Sequence, residues 1–172
     1  MTWTPVDAPD DPRIAVYLGL RDHVLRQQRE LPGGDLGGLF IAEGDIVVER
    51  ALDAGYRMLH CLVDAQRRQP LPERMPPDLT VFAAGIPVIE RITGMGVHRG
   101  MIACFERRPL PSIEAAEMLV RAVSAPFGPH SDAEWRFLTE HVVRPLPGGG
   151  VTFRYDPAIA VAFNAQQPHT DI

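Results

Sequence analysis

The amino-acid sequence predicts a small α/β/α sandwich with a central sheet of about four strands, followed by a mostly helical extension. Between residues 38 and 106, short apolar runs alternate with stretches of helical periodicity. This alternation is typical of strands joined by helical crossovers, which cover both faces of a sheet. It stops at residue 112. We therefore expect one α/β domain over residues 1–112 and an extension over residues 113–172.

Composition limits the class of protein further. A chain of 172 residues that is 45% hydrophobic can bury a substantial core. No apolar run reaches the roughly 20 residues of a membrane-spanning helix, and the acidic N-terminus differs from the basic, then apolar, start of a signal peptide. We therefore expect a cytoplasmic protein that does not bind membranes.

The net charge of -5 argues against nucleic-acid binding over the whole surface. All 17 basic residues are arginine, so any RNA contact must be a local arginine patch. Solvated arginines balanced by Asp22, Glu90 and Glu106 are the alternative explanation. The arginines considered for the patch are Arg21, Arg26, Arg29, Arg67, Arg68, Arg91, Arg99, Arg107 and Arg108.

The N-terminal third predicts three segments. Residues 1–12 contain prolines and acidic residues, which favour an extended arm. Residues 13–30 place apolar side chains along one stripe, which predicts an amphipathic helix. Two glycine pairs, at residues 33–34 and 37–38, predict a flexible loop.

Residues 38–56 predict a strand, a glycine turn and an amphipathic helix. Residues 40–42 form the apolar strand, and Asp45 is expected to cap the helix that follows. Gly55 stands where a left-handed C-terminal cap is needed. The apolar helix face is predicted to consist of Ile46, Val47, Ala51 and Ala54.

Three further apolar runs predict the other strands, at residues 58–63, 80–83 and 101–105. Pro87 favours the start of a helix that continues to Ile92. The proline-rich residues 66–78 predict an irregular connection that includes a helical turn.

The extension predicts two helices, at residues 112–123 and 132–143. Ser131 and Glu134 have the spacing of a capping box at the start of the second helix. Residues 151–155 alternate as a short strand or extended arm, and residues 157–163 predict a last helical turn.

No catalytic or metal site emerges from the residue pattern. Ser124 lacks the flanking glycines of a nucleophile elbow. The glycines at residues 94, 96 and 100 precede a strand, whereas a dinucleotide fingerprint must follow one. His60 and Cys61 would point to opposite faces of their strand. Buried free thiols are the expected state of Cys61 and Cys104.

Two groups of motifs carry a resemblance to a known family. The first is Phe40-x-x-Glu43-Gly44, followed by a helix that ends in Ala54-Gly55-Tyr56. The second is Ile92-Thr93-Gly94, with the glycine-led strand at residues 98–103. In this order and spacing they resemble the N-terminal substrate-binding domain of SpoU/TrmH-family RNA 2'-O-ribose methyltransferases, over about residues 10–112. The resemblance implies a ribosomal-protein-like RNA-binding fold.

The resemblance also implies a function in RNA modification and rRNA processing, namely recognition of structured rRNA or tRNA. We expect the knotted catalytic domain to be absent from this chain, so S-adenosylmethionine is expected only with that domain and no cofactor is expected here. It stays open whether the chain is an enzyme and whether it forms a homodimer. DNA is not an expected partner. The expected RNA contacts are Arg26, Arg29, Gly37, Glu43, Arg91, His98, Arg99 and Gly100.

The extension resembles something else. The segments SAPFGPHSDAEWRFLTEHVVRPLP and RYDPAIAVAF are similar to part of the cap region of an α/β-hydrolase, without its sheet. A natural fusion, a truncation or frameshift near residues 112–120, and an engineered chain all remain open. Two alternative functions follow: a non-catalytic fragment related to the hydrolases, or a protein-interaction or dimerisation module. The module would dock through Trp135, Phe137, Leu138 and Val142.

Overall fold

The computed structural model describes residues 1–31, 33–94, 100–125, 128–146 and 148–154. The chain divides into two compact units, residues 1–106 and 107–172. The first unit is a mixed α/β domain, and the described residues of the second form helices and short strands. In the described part of the chain, no helix has the length and apolar character needed to cross a bilayer.

A five-stranded mixed sheet forms the centre of the first unit, and the predicted α/β class is confirmed. Its order is β1-β4-β3-β5-β2, with β4 parallel to both neighbours and β5 antiparallel to both of its own. The strands are β1 (Thr2–Val6), β2 (Leu39–Glu43), β3 (Met58–Asp64), β4 (Thr80–Ala84) and β5 (Met101–Glu106).

The N-terminal arm forms β1, the one strand of the sheet that the sequence did not predict. Thr2 to Val6 pair in parallel with Thr80 to Ala84, and the Thr2 N–H donates to the Leu79 carbonyl oxygen at 2.9 Å. β1 is an edge strand, where Pro5 is tolerated because only one side of the strand needs partners. The sequence did not predict this strand, because its threonines and proline interrupt the apolar pattern.

The prediction of one helix over residues 13–30 is wrong. A 3-10 helix, Pro12–Tyr17, is followed by a turn and then by α1, His23–Glu30. Gly19 turns the chain with a φ of +63°, and the Asp22 carboxylate caps α1 by accepting the Leu25 N–H at 3.0 Å. A left-handed glycine and a new N-cap separate the two helical segments.

Helix α2, Asp45–Asp53, begins at Asp45, the residue that was predicted to be its N-cap. Gly44 occupies the N-cap position with φ 90° and ψ 150°, and no side chain caps the helix. The predicted apolar face is correct at Ala51, which is buried, but Val48 is fully buried whereas Ile46 is 65% exposed. Three consecutive apolar residues follow Asp45, so the periodicity could not identify which of them is buried. The left-handed glycine expected at its end, Gly55, is confirmed with a φ of +75°.

Helices cover both faces of the sheet. On one face, the 3-10 helix and α3 (Ile86–Thr93) contribute Tyr17 and Ile89 to a core that includes Leu62 and Ile102. On the other face α2 packs on β2 and β5, and Phe40 stacks on Phe105 with ring centroids 5.2 Å apart. Alternate residues of each strand thus serve opposite cores, as the pleat requires.

A buried polar contact lies inside the first of these cores. The Tyr17 hydroxyl lies 2.8 Å from His60 Nδ1 and donates to the His60 carbonyl oxygen at 3.1 Å. Burial raises the pKa of Tyr17 and lowers that of His60. The predicted free, buried thiols are confirmed, and burial raises the pKa of Cys61 and of Cys104 to about 12. Both thiols are therefore protonated and unreactive at neutral pH.

The described residues of the second unit form two helices and a β-hairpin. Helix α4 is Ile113–Ser124, α5 is Asp132–Val142, and the hairpin pairs β6 (Val143–Pro145) with β7 (Val151–Phe153). The predicted capping box between Ser131 and Glu134 is confirmed. The helices and hairpin enclose a small core of Ala116, Val120, Trp135, Val143 and Phe153. The helical turn predicted at residues 157–163 lies outside the described residues.

Candidate nucleic-acid interface

Six of the eight expected RNA contacts fall within the described residues. His98 and Arg99 lie outside them. Of the six, Arg26 and Glu43 lie close together at the turn between β2 and α2, and Gly100 packs near the same turn. Arg29 lies in the last turn of α1, Gly37 in the loop that joins α1 to β2, and Arg91 on α3.

The turn between β2 and α2 is built around Gly44. Residues other than glycine rarely adopt its φ of 90°. Its N–H donates to the Met101 carbonyl oxygen at 2.7 Å, which fixes the turn against the first residue of β5. Glu43 and Asp45 flank this glycine, so the two carboxylates leave the turn in defined positions.

Arg26 lies beside Glu43. Its Nε donates to Glu30 at 3.1 Å, and its Nη1 is 3.7 Å from Glu43 Oε1. The structure therefore brings two expected contacts together as an ion pair. Two carboxylates balance the guanidinium of Arg26, which leaves it little positive charge to offer a phosphate.

On the other side of Gly44, the Asp45 carboxylate pairs with Arg67. The Arg67 side chain is 3% exposed, and its Nη1 and Nη2 each lie 3.0 Å from one Asp45 oxygen. It also donates to the carbonyl oxygens of Gln69 at 3.0 Å and Pro70 at 2.9 Å. Arg67 thus ties the start of α2 to the loop after β3. We call these two residues the Asp45–Arg67 pair.

Gly100 packs directly on the Asp45–Arg67 pair. It has a φ of +79°, and a Cβ there would lie 2.7 Å from Arg67 Nη1 and 3.0 Å from both Asp45 oxygens. The pair explains why glycine stands at this position. The sequence does not indicate this pair, because its two residues are 22 positions apart and neither is part of a motif that specifies the other.

Arg29 has a structural role in the described contacts. It donates to the Ala15 carbonyl oxygen at 2.9 Å and to the Asp35 carboxylate at 2.6 Å. The hydrogen bond from Arg29 lowers the pKa of Asp35. Arg29 therefore holds the 3-10 helix, α1 and the following loop together.

The loop that contains Gly37 is packed, although its glycines predict a flexible one. Gly34 and Gly37 donate backbone hydrogen bonds to the carbonyl oxygens of Leu31 and Gly34, at 2.8 and 3.0 Å. A Cβ on Gly34 would lie 2.1 Å from the Arg29 carbonyl oxygen. Leu36, between them, is fully buried. The glycines permit close backbone approach to the end of α1.

Arg91 and Arg21 differ from the arginines above. Both are exposed, and within the described residues neither forms an ion pair or a side-chain hydrogen bond. The Arg21 N–H donates to the Thr93 carbonyl oxygen at 3.1 Å, which places Arg21 at the end of α3. Arg21 is among the arginines considered for a patch but not among the expected contacts.

The balance of charge differs between the turn around Gly44 and the end of α3. Around Gly44, the carboxylates of Glu30, Glu43 and Asp45 outnumber the guanidinium groups of Arg26 and Arg67. This arrangement disfavours phosphate and leaves carboxylate oxygens as acceptors. In the described part of the chain, no three His, Cys, Asp or Glu side chains are grouped to hold a metal ion.

Fold and sequence together define the class of this domain: a mixed α/β sheet with helices on both faces and sequence similarity to RNA methyltransferases. An uncharacterized tRNA/rRNA methyltransferase of Mycobacterium bovis is 29% identical over 117 residues, which cover 67% of this chain. The match spans only 39% of that relative's length. No family model matches the chain.

Two solved structures are also similar to the chain. An RNA 2'-O ribose methyltransferase shares 19% identity over 70% of this chain and 52% of its own, with a TM-score of 0.43. An rRNA methyltransferase from Sinorhizobium meliloti shares 21% identity over 64% of this chain and 39% of its own, with a TM-score of 0.45. The similarity in sequence supports a relationship with tRNA/rRNA methyltransferases.

Proposed function

We propose that the N-terminal α/β domain of this chain, residues 1–112, recognises structured RNA for a SpoU/TrmH-type RNA 2'-O-methyltransferase. The observation that carries the proposal is the similarity over 117 residues to a relative described as a tRNA/rRNA methyltransferase. The substrate would be a folded rRNA or tRNA. Methyl transfer and S-adenosylmethionine binding would belong to a separate catalytic domain.

The surface of the first unit is compatible with such a task. RNA-binding proteins position their targets mainly through contacts to phosphate and sugar, and arginine is well suited to phosphate. A chain with a net charge of -5 must place these contacts locally, and unpaired arginines are the groups able to make them. His98 and Arg99 stay predicted contacts, in a segment that ends at Gly100.

RNA binding by the purified chain tests this function. Fluorescence anisotropy would be measured with an unmodified tRNA transcript and an rRNA stem–loop over a series of salt concentrations. We expect saturable binding that weakens as salt increases, because counterions are released from the phosphates. A variant carrying His98→Ala and Arg99→Ala should bind more weakly. As a control, Arg74→Ala removes an exposed arginine that is already paired with Asp53.

Absence of binding at low salt by the folded chain would contradict the proposed function. Equal affinity of the wild type and the His98→Ala, Arg99→Ala variant would instead contradict the assignment of these two contacts. The Arg74→Ala control separates loss of a particular contact from loss of one positive charge.

A second candidate function is a protein-interaction or dimerisation module in the second unit. Large apolar side chains are exposed on its two helices, with Phe137 60% and Met118 73% exposed. Trp135 was expected to dock as well, but its side chain is buried in the core of this unit. Sedimentation over a concentration series tests the idea, since Phe137→Ser should weaken a dimer. A monomer at all concentrations would contradict a homodimer.

A further inference from the structure

The arginines of the first unit differ in how many of their donors the protein already uses. The side chains of Arg13, Arg57 and Arg74 are at least half exposed, but each forms an ion pair, with Asp11, Glu106 and Asp53 respectively. Arg29 and Arg67 are largely buried and hydrogen-bonded. Within the described residues, Arg21, Arg68 and Arg91 are exposed and form no ion pair.

Two of these three arginines, Arg21 and Arg91, lie near the end of α3. Backbone hydrogen bonds from Gly19 to Ile92 (2.7 Å) and from Arg21 to Thr93 (3.1 Å) dock the turn before α1 onto the end of α3. The Arg21 Cβ is 3.4 Å from the point where a Cβ on Gly94 would lie. Arg91 precedes Gly94 by three residues, and such positions on a helix are about 5–6 Å apart.

We propose that Arg21 and Arg91 form a phosphate-binding pair that contacts the RNA backbone. This inference rests on the proposed function and assigns the contact to a particular place on the domain. Two guanidinium groups from different segments stand on a backbone fixed by hydrogen bonds, and no contact within the described residues uses their donors. Adjacent phosphates of one RNA strand can pair with them, because each guanidinium offers a fork of N–H donors.

Within the described residues, no neighbouring carboxylate forms an ion pair with Arg21 or Arg91. Asp22 follows Arg21, but its carboxylate accepts the Leu25 N–H at 3.0 Å as the cap of α1. Glu90 precedes Arg91 on α3, and within the described residues it forms no ion pair. By contrast, in the described ion pairs around Gly44, three carboxylates accompany two guanidinium groups. Charge complementarity therefore favours the end of α3 over the Gly44 turn for phosphate.

The experiment measures binding of the full chain to an unmodified tRNA transcript over a salt series. The variants are Arg21→Gln with Arg91→Gln, and a matched control with Arg57→Gln and Arg74→Gln, which removes the same charge from paired arginines. Removal of two exposed phosphate contacts should weaken binding about tenfold. The slope of log K against log salt should fall by about 1.5 to 2. The control should change binding less than about threefold.

The outcomes separate this inference from the function on which it rests. Binding by the wild type with equal losses in both double variants would overturn the phosphate pair and leave the RNA-binding function standing. No binding by the wild type would overturn both. Arg21→Lys with Arg91→Lys keeps the charge, so it should retain the wild-type salt slope. If the lysine variant loses the slope as the glutamine variant does, the pair does not act through its charge.

Discussion

The turn around Gly44 and the end of α3 both carry arginines, but the guanidinium groups have different surroundings. At the turn, Arg67 is 3% exposed and donates to Asp45 and two carbonyl oxygens. At the end of α3, Arg21 and Arg91 are exposed and unpaired within the described residues. A guanidinium whose donors already bind protein oxygens has little left for phosphate. An arginine patch must therefore be judged by free donors rather than by the number of arginines.

The largest expected effect comes from the Asp45–Arg67 pair. Arg67→Met leaves the Asp45 carboxylate without its partner and removes two hydrogen bonds to carbonyl oxygens. Because Asp45 is 33% exposed and can be partly rehydrated, we expect a loss of about 3 kcal/mol, the lower end for a broken buried pair. Urea denaturation measures it.

Arg74→Met is the matched control, since this arginine pairs with Asp53 at the surface. It should cost less than about 1 kcal/mol. The RNA affinity of folded Arg67→Met should stay within about twofold of the wild type. A variant of unchanged stability with impaired binding would reverse the roles assigned to the two regions.

Gly100→Ala should cost about 2 kcal/mol, through left-handed backbone strain and crowding of the Asp45–Arg67 pair. The new Cβ would lie 2.7 Å from Arg67 Nη1, which cannot move without weakening its bond to Asp45. Gly33→Ala is the matched control, because its φ is +92° and nothing lies within 4 Å of the new Cβ. It should cost about 1 kcal/mol. If urea denaturation gave equal losses of unfolding free energy for Gly100→Ala and Gly33→Ala, the Asp45–Arg67 pair would not be what excludes a side chain at Gly100.

A smaller effect concerns the pH dependence of stability. The hydrogen bond from Arg29 holds the pKa of Asp35 below its ordinary value of 3.8. The unfolded chain then binds the proton more readily, so this contribution is complete above about pH 4 and is lost as pH falls through the folded pKa. Since Asp35 is more than half exposed, solvent screens the pair and the contribution is small.

Arg29→Met tests this pH dependence. The difference in unfolding free energy between wild type and variant should narrow as pH falls below about 4. Urea denaturation at several pH values measures the difference. A difference that stays constant from pH 6 to pH 2 would mean that Asp35 does not depend on Arg29 for its ionisation.

The smallest expected effect is at the end of α3. Arg21→Gln with Arg91→Gln should change the free energy of unfolding by less than about 0.5 kcal/mol, because neither side chain has a partner in the described residues. Thermal denaturation should show nearly equal midpoints. A loss above 1 kcal/mol would mean that these arginines stabilise the fold and would weaken their assignment as free phosphate contacts.

Local patterns predicted most elements of the fold. Strands β2 to β5 are continuous apolar runs, and the capping box at Ser131 marks α5. The elements that were missed depend on tertiary partners: β1 has little apolar pattern and is a strand because β4 pairs with it. Likewise, Val48 and not Ile46 is buried in α2 because of how the helix rests on the sheet.

The candidate site was less predictable than the fold. The sequence indicated arginines and glycines, but which arginines are bonded depends on contacts between distant segments. Arg29 reaches the Ala15 carbonyl oxygen 14 residues away, and Arg67 reaches Asp45 across 22 residues. No local pattern encodes these pairs. Gly100 stays a predicted RNA contact, and the structure relates its lack of a side chain to packing on an ion pair.

Ultraviolet cross-linking of the full chain to an unmodified tRNA transcript, with mass spectrometry of the cross-linked peptides, tests RNA recognition by the first unit most directly. The account predicts cross-links that low salt strengthens and excess unlabelled tRNA removes. They should lie within residues 13–30 and 86–106, on both sides of the contact between Arg21 and the end of α3. Cross-links confined to residues 107–172, or none at all, would contradict it.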